Sequence, residues 1–398
     1  MRIMLGLRFL TASILVTACV SPPPLSGTGV RGTFGGDIYV TVVDARTLAP
    51  ILGAAVLLDG EAVGETDLHG ALHVSHAAVD LVEASASGYE VTGFAGADAE
   101  VYTIPLRATA PAPTATVRGE VAGFGDVEAP AGGTVRAIIG VSRDKAIDGA
   151  DPVMARCEGG DACTFTLTAP IGQVRLFAQI LGVDPGPTPD PSDDVVTPLS
   201  FALSDPLQLM SGETREAVRL ERFADTALTE VTVTTPPAAS GIDAVVGVPG
   251  LGLGDDVLVF VPEAGQTRFL LPTPSGSLAQ TNFWGIARGT GPGGESIAVI
   301  REPRASAPAH VAPPDLAAIP TVTRSGESYV IGGADGAVIV EVRVDGVARV
   351  FAFDGRREIE APAGAGSVVA YVAPAQEDGW DLTELRQTFT QRMTAELP

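Results

Sequence analysis

His69, His73 and His76 are the densest gathering of metal-ligating side chains in this sequence, and closely spaced imidazoles are what a zinc site requires. On a strand, His73 and Ser75 point away from the face of Leu72 and Val74, while His69 falls in the preceding turn. One ion could reach all three only if His76 folded back, so they read as surface histidines and no metal is expected. Asp184, Asp190, Asp193 and Asp194 crowd one loop with several prolines and Gly186, an oxygen-rich setting of the kind calcium uses. Their spacing matches neither an EF-hand nor a nonapeptide repeat. The loop from Asp184 to Pro198 therefore reads as a solvated acidic excursion kept extended by its prolines.

Nucleophiles fare no better. Lys145 is the only lysine, and it stands in the charged stretch Ser142-Arg143-Asp144-Lys145, which reads as a solvated loop. Ser277 lacks the glycines two positions to either side that a nucleophile elbow needs, because those positions hold Ser275 and Ala279. Gly247-Val248-Pro249-Gly250-Leu251-Gly252-Leu253-Gly254 is glycine-rich but has no Lys-Ser/Thr ending, so a β-turn connection is expected in place of a phosphate cradle. No catalytic residue and no cofactor are expected. Cys157 and Cys163 frame the flexible Glu158-Gly159-Gly160-Asp161-Ala162, and once Cys19 is set aside they form an even pair. A local disulfide is the expectation, stabilising by roughly 2 kcal/mol in the chain-entropy account.

Cys19 belongs to a different chemistry. Arg2 and Arg8 give a positive n-region ahead of the short apolar run Phe9 to Ala18, and Val16-Thr17-Ala18-Cys19 resembles the lipobox cleaved by lipoprotein signal peptidase. That resemblance implies a signal peptide over residues 1–18, acylation of Cys19 and a membrane partner reached through the lipid. Several acyl chains anchor stably where one does not. Val20 in place of an aspartate points, by the same resemblance, to the outer membrane. Residues 19–36, rich in Pro, Ser and Gly, read as a tether.

The rest of the chain has to position whatever function exists. Hydrophobic residues make up 45% but aromatics only 5%, so cores are filled by Val, Ile, Leu and Ala. A net charge of −23 repels phosphate backbones, and nucleic acid is not an expected partner. Short runs of alternating strand character, broken by Gly, Pro and Asp, predict an all-β chain of serial β-sandwich domains. The expected spans are residues 37–107, 115–223, 227–302 and 321–398, arranged as beads on a string, the last an immunoglobulin-like sandwich. Asp59-Gly60 and Asp345-Gly346 mark hairpins. Leu385, Phe389 and Met393 fit a strand or a helix face, and the threonines around them favour strand.

In the first span, Val42-Val43-Asp44, Gly53-Ala54-Ala55-Val56, Thr66-Asp67 with Gly70, and Ala84-Ser85-Ala86-Ser87-Gly88-Tyr89 resemble the carboxypeptidase regulatory-like domain, a transthyretin-like β-sandwich. The resemblance implies a spacer or binding module without catalytic groups. None of His69, His73, His76 or His310 begins an H-x-x-E motif, so zinc-peptidase chemistry does not carry over. Of the two tryptophans, Trp284 lies in an apparent strand and reads as core, whereas Trp380 falls in an apparent loop and is the candidate ligand platform. The expected function is a non-enzymatic, membrane-anchored surface lipoprotein of the outer membrane, acting in interaction, adhesion or envelope assembly. The alternative is a carbohydrate- or peptide-binding surface protein. Its expected partners are an envelope protein or a glycan.

Overall fold

The computed structural model describes residues 27–144, 153–188, 190, 193–254, 256–275, 278–303, 307–376 and 379–398. The expectations attached to the leader, Cys19, Lys145 and Ser277 lie outside the described residues. Within them, runs of β-branched and aliphatic residues form six sheets of thirteen, seven, five, three, three and two strands, and one α-helix, Leu382–Thr388. The chain is all-β, in packed sandwich layers.

Residues of the second span close on themselves. The seven-stranded sheet runs in the order Met154–Glu158, Thr134–Val141, Leu176–Asp184, Val195–Leu203, Thr214–Arg222, Thr114–Val121, Cys163–Pro170. Its two edge strands, Met154–Glu158 and Cys163–Pro170, are neighbours in sequence. The sheet curls until those edges meet, and the Cys157–Cys163 disulfide joins them with Cα atoms 5.6 Å apart. The two edges pack against each other, and the disulfide holds them there. Along Cys163–Pro170 burial alternates strictly, with Cys163, Phe165, Leu167 and Ala169 inward and three threonines outward.

The other three spans share sheets, and the second span reaches the largest of these through Arg143–Asp144. The thirteen-stranded sheet begins at Glu61–Glu65 and passes through Ala55–Leu58, Leu81–Ser85 and Val91–Ala95 of the first span. It continues through Ala348–Ala352, Ile339–Val344, Gly366–Val372 and Gln391–Glu396 of the last span. It then crosses Gly294–Pro303, Thr281–Gly291, Ala244–Leu253 and Asp256–Val259 of the third, ending on Arg143–Asp144.

Two junctions carry this continuity. Val91–Ala95 lies parallel to Ala348–Ala352, with Phe94 opposite Phe351. The final strand, Gln391–Glu396, pairs antiparallel with both Gly294–Pro303 and Gly366–Val372. A further link is in the five-stranded sheet, where Gly29–Arg31 sits between Val101–Leu106 and Gly379–Asp381. The spans expected as beads on a string are therefore joined through common sheets, because pairing across more than 250 residues is invisible to local patterning.

Both faces of the central sheet are covered. On one face Leu58, Val82, Phe94, Phe351 and Trp284 join a core with Ile38, Val40, Tyr102 and Ile104 of the five-stranded sheet, and with Leu382, Leu385 and Phe389. Phe94 meets Phe351 and Phe353 edge-on, with centroids 5.6 Å away in each case. Each such fully buried ring contributes about 1.5–3 kcal/mol by leaving water. On the opposite face Val340, Val342, Val350 and Met393 pack with Tyr329, Ile331 and Ile359 of the sheet formed by Thr321–Ser325, Ser328–Gly332 and Glu358–Glu360.

Several local expectations are corrected. Leu385 is helical, Phe389 caps that helix, and only Met393 is in a strand. The helix starts at Asp381, whose Oδ1 accepts from the Thr383 and Glu384 amides at 2.8 and 3.3 Å. The glycine-rich run 247–254 is not a turn connection: Ala244–Leu253 is one strand, and only Gly254 among the glycines of the run has positive φ. Gly247 is small because a Cβ there would stand 2.7 Å from the Thr234 carbonyl oxygen. The acidic excursion is shorter than expected, since Val195 already pairs with Asp184 and Pro198 lies within the strand.

Candidate functional site

The histidine cluster resolves into an aromatic pair. Tyr39 and His73 are directly opposite each other on adjacent antiparallel strands, Asp37–Asp44 and Ala71–Ser75, which places both rings on the same side of the sheet. They stack with centroids 4.5 Å apart and planes 10° from parallel. One register step away, Asp37 Oδ1 accepts from the Ser75 hydroxyl at 2.6 Å and lies 3.3 Å from His73 Nε2. The Ser75 hydrogen bond, followed by His73, holds the Asp37 carboxyl below its ordinary value. Because Ser75 donates to the carboxylate, it is not aimed at the imidazole and gains no nucleophilic activation. The group is a solvent-facing aromatic and carboxylate patch, chemistry suited to binding. His69 and His76 do not join it: His76 Nδ1 sits 3.0 Å from the Ala77 carbonyl oxygen, and His69 stays in the Asp67 turn.

A second group surrounds Trp284. Trp284 is 6% exposed, and Arg301, its partner across Thr281–Gly291 and Gly294–Pro303, places its guanidinium 4.6 Å from the indole centroid. The same guanidinium lies 5.2 Å from the Phe389 ring and donates to the Phe389 carbonyl oxygen at 2.5 Å. Burial lowers Arg301 to about 10. On the other face of these strands is a cavity of about 230 Å³ lined by Phe283, Ile300, Pro308, His310 and Val311. Gly285 keeps it open, since a Cβ there would approach Val311 Cγ1 to 2.5 Å. His310 Nε2 is 3.0 Å from Thr234 Oγ1.

The most concentrated charge is at Glu341, whose side chain is fully buried. Arg349 donates to its Oε1 through Nε at 2.8 Å and Nη2 at 2.5 Å, and Arg343 Nη2 donates to Oε2 at 2.8 Å. The Tyr371 hydroxyl stands 3.4 Å from Oε2 and 3.3 Å from Arg343 Nη2. Burial alone would raise this carboxyl, but Arg343 and Arg349, with Arg386 behind them, hold it well below the ordinary range. Register explains the clamp: Arg343 and Arg349 face each other, and Glu341 is two residues from Arg343 on the same side of Ile339–Val344. The two-residue alternation Glu341-x-Arg343 was a readable signal; the opposing Arg349 needed the hairpin.

Other expected positions fall as follows. Cys157 and Cys163 are disulfide-bonded. In the acidic loop, Asp193 Oδ2 accepts from the Thr188 hydroxyl at 2.6 Å and its amide at 3.1 Å, and Asp194 Oδ1 accepts from the Gly186 amide at 3.1 Å. These carboxylates fold the loop. Among the described residues no group of three or more His, Cys, Asp or Glu side chains has metal-binding geometry. Trp380 is in the edge strand Gly379–Asp381 opposite Val30 and not in a loop, and its half-buried ring packs against the main core.

No family model matches the chain, and no curated protein matches it. Solved structures give faint likenesses. A candidate polysaccharide-binding protein of Bacteroides thetaiotaomicron aligns over 45% of this chain and 76% of its own at 11% identity, with a TM-score of 0.15. A tip fimbrial protein of Porphyromonas gingivalis aligns over 56% of this chain and 100% of its own at 9% identity, with a TM-score of 0.16. A candidate cell adhesion protein of Parabacteroides distasonis aligns over 72% of this chain and 100% of its own at 9% identity and a TM-score of 0.17. Scores this low carry no argument about shared fold or function.

Proposed function

We propose that the chain is a non-enzymatic surface protein, anchored to the outer membrane through acylated Cys19, that serves adhesion or envelope assembly. The observation that supports it is the seat of Gly29–Arg31. This strand begins ten residues after Cys19 and is hydrogen-bonded on both sides, to Val101–Leu106 and to Gly379–Asp381. Tension on an anchor at Cys19 enters the fold along that strand and is resisted by two ladders in shear, whose bonds share the load instead of breaking singly. The first span, with its resemblance to the carboxypeptidase regulatory-like domain, is the module nearest the anchor. The −23 net charge holds the body away from anionic headgroups.

Metabolic fatty-acid labelling and membrane fractionation test the anchor. Cys19→Ser is expected to lose both label and membrane association; retention of both rules the anchor out. Crosslinking in the native envelope with mass spectrometry tests the role, and a reproducible protein partner is the expected result.

A second reading, carbohydrate binding, is favoured by the stack of exposed His73 on half-buried Tyr39 beside Asp37, since sugars combine an apolar ring face with hydroxyl donors. Trp380, on the far edge of the same sheet, is the other aromatic group a glycan could meet. A glycan-array signal lost in Tyr39→Ala or Trp380→Ala would support this reading, and an array without signal would end it.

A further inference from the structure

We propose that the arginine cluster around Glu341 is a binding site for an oxyanion, a sulfate, phosphate or carboxylate group, with Arg386 and Arg392 as its principal ligands. The first ground is charge. Glu341 contributes one negative charge, while Arg343, Arg349 and Arg386 all act on it, so three positive charges less one leave a local excess of two. Arg392 adds a third. It stands opposite Tyr371, on the side of the sheet that carries the Tyr371 ring, and that hydroxyl touches both Glu341 and Arg343. The nearest carboxylate along the same strands, Glu295, is already paired with Arg288. Such an excess is unexpected in a chain with 48 acidic and 25 basic residues.

The second ground is unspent donors. Arg392 is 5% exposed, and its Nη2 donates to Thr394 Oγ1 at 3.2 Å. Its Nε and Nη1 are buried and meet no acceptor among the described residues. A buried guanidinium with idle N–H groups is costly unless an anion answers it. The planar fork of arginine matches paired oxygens, so the group that answers it best carries two or three of them. Arg301 is also buried without a carboxylate, but its flat faces are covered by Trp284 and Phe389 and it takes no part.

The third ground is access. The Arg343 side chain is 23% exposed and forms the rim, and Arg386 is half-buried on the helix Leu382–Thr388. The site lies where that helix meets the central sheet, so an anion held there would tie the last span to the core it shares with the first.

The test is calorimetric titration of sodium sulfate into the full chain, with thermal melts in sulfate and in sodium chloride of equal ionic strength. We expect saturable binding and a saturable rise in Tm, weakened about tenfold in Arg392→Met and in Arg386→Gln. Arg118→Met, which removes an exposed partner of Glu216, should leave the binding unchanged. Should Arg392→Met fail to fold by circular dichroism, the half-buried Arg386→Gln decides the matter. A sulfated disaccharide run in parallel separates sources: equal affinity means the free anion is recognised, and tighter disaccharide binding means the group is carried on a saccharide. Identical melts in sulfate and chloride, or wild-type affinity in both variants, overturn the site.

Discussion

Residues 114–222 pair the strands of their seven-stranded sheet among themselves, whereas residues 29–106 depend on strands that arrive some 250 to 350 residues later. In the first region the two edges of a curled sheet are successive strands stapled by Cys157–Cys163 over a core drawn from that region, while Phe177, Phe201 and Leu203 on its outer face join the main core. In the second, Val91–Ala95 finds its partner in Ala348–Ala352, and Gly29–Arg31 finds one in Gly379–Asp381. The difference teaches where covalent support is needed. A small sheet that must bring its own edges together gains from a short staple, while a sheet extended by borrowed strands is held by the ladders those strands make. It also separates folding order, since distant pairing waits on loop closure.

The largest expected effect comes from removing the borrowed strands. A chain ending after Thr388 loses Gln391–Glu396, and with it the only described strand that pairs both Gly294–Pro303 and Gly366–Val372. Amide protection should collapse across the first, third and last spans but persist in residues 114–222, as hydrogen exchange by mass spectrometry would show.

Glu341→Ala comes next. It leaves Arg349 buried without its carboxylate and should cost about 3–5 kcal/mol by chemical denaturation. The same clamp sets a pH dependence. Because the folded carboxyl lies below its unfolded value, its contribution is complete above the unfolded value near 4.3 and is lost as pH falls through the folded one. Acid titration of the wild type should therefore show a destabilisation below about pH 4 that is smaller in Glu341→Gln.

Cys157→Ala with Cys163→Ala should cost about 2 kcal/mol and be confined to residues 114–222, since the loop it closes is short. A loss of protection at Val91–Ala95 in that variant would erase the contrast between the regions. Smallest is Arg356→Ala. Its bridge to Asp80, through Nη1 at 2.6 Å and Nη2 at 2.5 Å, links the last span to the first but is solvent-facing, and about 0–1 kcal/mol is expected.

Much of the local structure was legible. Asp59-Gly60 and Asp345-Gly346 mark hairpins because their φ preferences admit only tight turns there, and Ala55–Leu58 with Glu61–Glu65 and Ile339–Val344 with Ala348–Ala352 follow. Gly70 was legible as a turn residue, and it has to be glycine: φ is +70°, and a Cβ would stand 2.6 Å from the Val42 carbonyl oxygen. The short helix hid in plain composition. Asp381 with Glu384 is a capping pattern that the strand expectation, resting on the threonines, does not take into account. Strand order was not legible, because nothing in Val91–Ala95 names Ala348–Ala352 as its neighbour. The Tyr39–His73 stack was hidden for the same reason: it depends on the antiparallel register of Asp37–Asp44 with Ala71–Ser75.

The central claim is that the first and last spans form one cooperative unit through shared strands. Hydrogen exchange on the full chain carrying Met393→Ala, a fully buried side chain whose loss should cost about 2–5 kcal/mol, tests it most directly. The account predicts that protection falls together in Gln391–Glu396, Ala348–Ala352, Val91–Ala95 and Gly29–Arg31, while residues 114–222 are unchanged. Full protection retained at Val91–Ala95 and Gly29–Arg31 would contradict it.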